Sequence, residues 1–191
     1  MKHFTGYTDK TTENLLLDAG AFFKNYDMET DSFESAVAAG KLIGATKGGG
    51  EFSAVPTFRK IEIDGAKTRT KGGEVLDSWE TYIKSNVIET TIETIKMALG
   101  ASKVTQKHEG YDTIEGKTML ELGDYIENIT WVGTIAKTDK PVIIQVFNAL
   151  NTDGLKLAVQ DKNEGVISMT FYGHSDNKKE VPFEIHYPKE D

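Results

Sequence analysis

Residues able to do chemistry are present in this chain, but their spacing builds no recognisable centre. Gly116-Lys117-Thr118 matches the end of a phosphate-binding loop, in which backbone N–H groups and a Lys cradle phosphates. The required opening Gly falls at Tyr111, and Asp112 and Glu115 place negative charge where phosphates would sit. Gly48-Gly49-Gly50 lacks the GxGxxG spacing and a strand–turn–helix context, and reads as a turn between strands. Asp27, Glu29, Asp31 and Glu34 alternate as calcium-loop carboxylates do. Ser32 stands where such a loop needs Gly, and Ala38 where it needs a bidentate Glu, so a solvated acidic loop is expected. The histidines, His3, His108, His174 and His186, show no HxH or HExxH spacing. Asn128-Ile129-Thr130 matches a glycosylation sequon but lies within a strand pattern. With 30 acids in 191 residues, no carboxylate pair is singled out for acid–base work. No catalytic, cofactor-binding or metal-binding residue is assigned.

Composition narrows the function classes further. The absence of Cys removes disulfides, thiolate metal sites and thiol nucleophiles. The balance of 30 acids against 22 bases gives a net charge of −8, and Arg59 and Arg69 are the only arginines. Holding a phosphate backbone takes clustered bases, so sequence-specific nucleic-acid recognition is disfavoured. Leu15-Leu16-Leu17 is too short and too close to Asp18 for a signal peptide, and no apolar run approaches the ~20 residues of a membrane span. A soluble protein made in the cytoplasm is expected.

The elements that would position these side chains read mainly with period two. Leu15 to Phe23 alternates, as does Thr57 to Asp64. Tyr125, Ile129, Trp131 and Ile135 share one face, opposite Asp124, Asn128, Thr130 and Thr134. Val142 to Phe147 is a denser apolar run, joined to the preceding strand by a hairpin at Lys137 to Lys140. Val166 to Tyr172 and Val181 to Tyr187 read as closing strands around the turn Gly173 to Glu180. One helix is predicted from Thr90 to Leu99, with Thr90 and Glu93 as a capping box and Gly100 as its stop. A shorter helical turn is predicted at Ser32 to Ala39, capped by Ser32 and ended by Gly40. Residues 1–12 form a polar N-terminal arm, and Gly65 to Asp77 a long basic loop carrying Lys67, Arg69 and Lys71. There is no repeat or linker, so residues 1–191 read as one mainly β domain with a packed helix.

Nearly the whole chain resembles the major tail proteins (tail tube proteins) of long-tailed bacteriophages and their prophage relatives. The run from Asn14 to Tyr26 (NLLLDAGAFFKNY) resembles their opening strand, and Leu42 to Gly65 (LIGATKGGGEFSAVPTFRKIEIDG) their most recognisable stretch. Trp79-Glu80, the helix to Leu99, Ala158 to Thr170 and the closing VPFEIHYP from Val181 to Pro188 follow in the family's order. The resemblance implies two packed antiparallel sheets forming a β-barrel or sandwich with one flanking α-helix. It implies a non-enzymatic virion protein, made in the host bacterial cytoplasm and needing no cofactor. Its subunits would form hexameric rings stacked into the tube through which DNA leaves the capsid. Implied partners are further copies of the chain, the tail-tip initiator, the tail terminator and the tape-measure protein, with DNA passing transiently and no membrane. With the chain ending at Asp191, no appended immunoglobulin-like domain is expected.

On that reading Lys67, Arg69 and Lys71 are the inter-ring contact candidates. Glu62, Asp124, Asn128, Thr130 and Thr134 are the lumen-facing candidates, and about −48 per six-membered ring would repel a polyanion. The inner tube of a contractile tail or phage-derived bacteriocin fits the same residues. A monomeric β-barrel holding a small apolar ligand is the alternative from a different class.

Overall fold

The computed structural model describes residues 5–16 and 18–189. Residues 1–4 of the expected arm, Leu17 of the first alternating run, and Glu190 and Asp191 lie outside the described residues. The strands are β1 (Ala21–Lys24), β2 (Thr46–Lys60), β3 (Glu74–Val87), β4 (Ser102–His108), β5 (Tyr111–Gly116), β6 (Ile126–Gly133), β7 (Val142–Asn151), β8 (Leu157–Gln160), β9 (Asn163–Tyr172) and β10 (Phe183–His186). Two α-helices join them, α1 (Phe33–Ala38) where the shorter helical turn is expected and α2 (Ile92–Leu99) where the flanking helix is expected. The fold is mainly β and antiparallel throughout, as the alternation predicts.

One sheet runs in the order β1-β6-β7-β9-β3-β2, and β7 folds it into two leaves. Its first part pairs with β6 on one side and β10 on the other, whereas Leu150 and Asn151 pair with β9. The bend lies at Asn148, whose φ of 47° places it in the left-handed region that Asn tolerates better than most residues. Its amide donates to the His174 carbonyl at 3.0 Å, and the N–H groups of Phe147 and His174 donate to the carbonyls of Pro182 and Phe147. The bend therefore leaves these buried backbone groups paired.

Between the leaves lies the main core. Phe22, Ile129, Trp131 and Val146 come from the first leaf, Ile83, Ile167, Met169 and Phe171 from the second, and Met97 and Ala98 from α2. Burial of each large side chain contributes roughly 1.5–3 kcal/mol. The opposite face of the first leaf is covered as well, by α1 and the chain around it: Phe23, Tyr26, Ala36, Val132 and Ile143 form a second apolar cluster.

Local chemistry sets the helix ends. Ser32 caps α1 with Ser35 as its capping-box partner, as the sequence predicts for that end. For α2 the cap is Thr91 with Thr94, one residue beyond the expected Thr90 and Glu93. Thr94 is fully buried and its hydroxyl donates to the Glu89 carbonyl at 2.9 Å, whereas Glu93 turns outward to Lys24 at 3.0 Å. Gly48-Gly49-Gly50 is not a turn. It forms a bulge inside β2, with positive φ at Gly48 and Gly49 and a register shift between Thr46 and Gly50.

Candidate functional site

The longest element is the β2–β3 hairpin, and most of it has only itself to pair with. β3 pairs with β2 from Glu74 to Val87 but with β9 only from Tyr82 to Val87. Residues 74–80 and their β2 partners thus form a two-stranded ribbon that runs beside the 173–182 segment, whose Gly173 N–H donates to the Thr81 carbonyl at 2.9 Å. Among the described residues β2 pairs with β3 alone, which leaves its other edge without a partner strand there. Pro56 sits on that edge, where a residue without an N–H removes no ladder bond.

On the core-facing side of the ribbon, Phe183 of β10 covers Phe52 and Trp79, with ring centroids 5.8 and 5.4 Å away. Farther out a register shift beside Thr57 and Phe58 leaves Asp77 unpaired and sets Phe58 opposite Leu76, both exposed. Val55, Ile61 and Ile63 are exposed as well. A run of apolar side chains on a two-stranded ribbon is stable in water only when something packs on it.

The tip spans residues 61–73, because β3 starts at Glu74 and shortens the expected loop from its far end; β2 likewise stops at Lys60, short of the expected strand to Asp64. It is held by Ile61 N–H to Gly73 O at 2.8 Å, Ala66 N–H to Ile63 O at 3.1 Å and Gly73 N–H to Thr70 O at 2.9 Å. Lys67, Arg69 and Lys71 are all exposed on it. Arg69 lies 3.3 Å from Glu74 and Arg59 3.3 Å from Asp77, surface pairs each worth roughly 0–1 kcal/mol. Lys67, Arg69 and Lys71 thus share this one tip.

The five expected lumen residues do not share a face. Glu62 is exposed on the tip and Thr134 is exposed just after β6. The Asp124 carboxylate is only 7% exposed, 2.6 Å from the Lys117 ammonium and 2.9 Å from the Glu121 N–H that donates to it; both hold its pKa below the usual carboxylate range. Lys117 also reaches Glu121 at 2.7 Å. Asn128 and Thr130 are 9% and 0% exposed, which corrects their assignment to a free polar face. Asn128 accepts from Tyr26 N–H (2.9 Å) and the Thr130 hydroxyl (2.8 Å), and donates to the Tyr26 carbonyl (3.1 Å). Gln145, opposite Thr130 on β7, donates to the Thr130 hydroxyl and the Tyr26 carbonyl, each at 3.0 Å. The segment bearing α1 covers this network, and each member satisfies the next.

Other candidate chemistry is dispersed. Asp27 and Asp31 accept backbone N–H bonds from Glu29 and Asp27, which lower their pKa values and make a local turn. The His174 ring sits 3.0 Å from the Asn148 carbonyl and edge-on to Tyr125, while His186 lies 3.4 Å from Glu184, so neither approaches the other. Among the described residues no group of three or more His, Asp or Glu could hold a metal ion, and no helix is long and apolar enough to cross a membrane. Gln145 and the β4–β5 hairpin escaped the sequence reading. The polar residue inside the Val142 to Phe147 run and the two-residue connection Glu109-Gly110 were their signals.

No protein-family model matches the chain, and no curated protein matches it. Among solved structures it is similar to a chain described as the tail of an empty GTA particle with C6 symmetry. The two are 10% identical with a TM-score of 0.44, over 90% of this chain and 96% of that one.

Proposed function

We propose that this chain is a structural virion subunit that self-assembles into hexameric rings, stacked into the tail tube of a bacteriophage or prophage. The observation that carries the reading is the β2–β3 ribbon, whose outer edge pairs with no described strand and which carries exposed apolar side chains and a basic tip. A free strand of this length favours pairing with another chain, and repetition of that contact around a closed ring removes the edge. The sequence resemblance to tail tube proteins supports the same reading, as does the −8 charge, which suits a conduit that passes DNA without holding it. Stacking would then use the tip with Lys67, Arg69 and Lys71, and of the expected lumen residues Glu62 and Thr134 remain on the surface.

Size-exclusion chromatography over a concentration series, with negative-stain imaging of the same samples, tests this. Rings and filaments that lengthen with concentration are expected. A species that stays monomeric at high concentration across salt conditions, with tail-tip initiator supplied, would refute the reading and return the apolar-ligand barrel.

A further inference from the structure

We infer that the hairpin tip seats its exposed isoleucines, Ile61 and Ile63, in an apolar cleft at the opposite end of the same hairpin on a second copy of this chain. The inference rests on the self-assembly proposed above and names the surface that receives the tip. The cleft, of about 390 Å³, opens where the edge strands β1 and β2 of the two leaves approach each other. Leu16, Phe22, Phe52, Ile83, Trp131 and Ile144 line it, and Asp18 and Glu51 stand among its lining residues as acids exposed to water. At its floor the backbone of Gly50 is so near Phe22 that an added Cβ would lie 2.3 Å from the ring, so the leaves already touch there and leave the space above them open.

Three observations select the occupant. The first is chemical match: the tip offers Ile61 and Ile63, exposed at 42% and 54%, on a turn already fixed by its own hydrogen bonds. The second is charge. With Arg59 and Arg69 paired to Asp77 and Glu74, the tip still carries Lys60, Lys67 and Lys71 against Glu62 and Asp64, opposite in net sign to the Asp18 and Glu51 rim. The third is distance. Ten residues of extended β2 separate Gly50 at the cleft from Lys60 at the tip, about 33 Å at ~3.3 Å per residue. A tip that far from its own cleft can fill only another subunit's. Because the two surfaces differ and lie at opposite ends of one ribbon, the contact is head-to-tail, the kind that a stack of rings repeats along its axis.

The cysteine-free chain allows a clean test. In the double variant Ile63→Cys with Leu16→Cys, both positions are exposed, so the fold is retained, which circular dichroism checks. Oxidation under assembling conditions is expected to give a ladder of cross-linked species beyond the dimer, whereas each single variant stops at the dimer. Filaments that form normally without such a ladder would overturn the cleft as receptor and leave the tube standing. Wild-type protein that never polymerises would instead refute the function on which the inference rests. Charge reversal gives an independent arm. Lys67→Glu with Lys71→Glu, and separately Asp18→Lys with Glu51→Lys, should each raise the critical concentration about tenfold, and the four changes together should restore it. Failure of the combined variant to recover while each pair weakens assembly would overturn the pairing of tip with rim.

Discussion

Replacing Asn128 by alanine distinguishes a buried network from a wet strand face. Asn128 makes three hydrogen bonds beneath the α1 segment: it accepts from Tyr26 N–H and the Thr130 hydroxyl and donates to the Tyr26 carbonyl. That carbonyl keeps Gln145 as a donor in the variant, but the Tyr26 N–H, on a residue 5% exposed, loses its acceptor. An unsatisfied buried donor costs about 1–3 kcal/mol and each lost neutral bond about 0.5–1.5 kcal/mol, so a loss of about 3 kcal/mol is expected. In a domain of this size that lowers Tm by about 6–12 °C. Asn128→Asp keeps the acceptor and turns a carboxylate toward the Tyr26 carbonyl. It should be worse than alanine at neutral pH and regain part of the loss as falling pH protonates it. Urea unfolding of the unassembled subunit, followed by far-UV circular dichroism, measures both. A change below about 1 kcal/mol for the alanine variant would refute the reasoning, because it would mean that water already serves these groups.

Thr91→Ala should cost about 1 kcal/mol through loss of the α2 cap, while Thr90→Ala should stay within about 0.5 kcal/mol, measured on the same unfolding curves. Gly133→Ala should destabilise by about 1–3 kcal/mol and shift the tryptophan emission, because an added Cβ would lie 2.2 Å from the Trp131 ring. The lowered pKa of Asp124 means that its contribution is complete above its unfolded value near ~3.9 and is lost as pH falls through the folded value. Asp124→Asn should therefore flatten the loss of stability with acid below about pH 4, read from denaturation midpoints at a series of pH values.

Period-two alternation made the inward side of β6 legible: Ile129, Trp131 and Ile135 are all buried, as their spacing implies. The same rule misplaced Asn128 and Thr130, because alternation equates the polar side with solvent and carries no information about a distant segment that covers it. The cover is residues 25–43, and the local cue was Gln145, a polar residue in an apolar run that proved to pair with Thr130. The first alternating run was read too long, since Gly20 turns to a φ of 66° and pairing with β6 starts at Ala21. At α2 the expected cap Thr90 gave way to its neighbour Thr91, because Thr94 is buried as the capping partner while Glu93 faces outward, a tertiary term. The basic tip was readable from Lys67, Arg69 and Lys71 between the glycines at 65 and 72–73, whereas Ile61 and Ile63, read as strand, proved to belong to it. The apolar face of the ribbon was hidden by the one-residue shift near Phe58 that realigns it with Leu76.

The bend at Asn148 also orders events in time. β1 pairs with β6 in the first leaf, and strand pairing links the second leaf to the first through Leu150 and Asn151 of β7, so neither leaf is complete until β7 has been made. The β2–β3 ladder joins strands adjacent in sequence, so its pairing does not wait for β7, although its apolar side chains stay uncovered until the body forms. A nascent subunit thus shows its bare edge to neighbouring chains on the same polysome before it owns a core, a period in which off-pathway pairing competes with folding. Pro56 on that edge and the like charges of the tip lysines then disfavour edge-to-edge pairing between newborn chains.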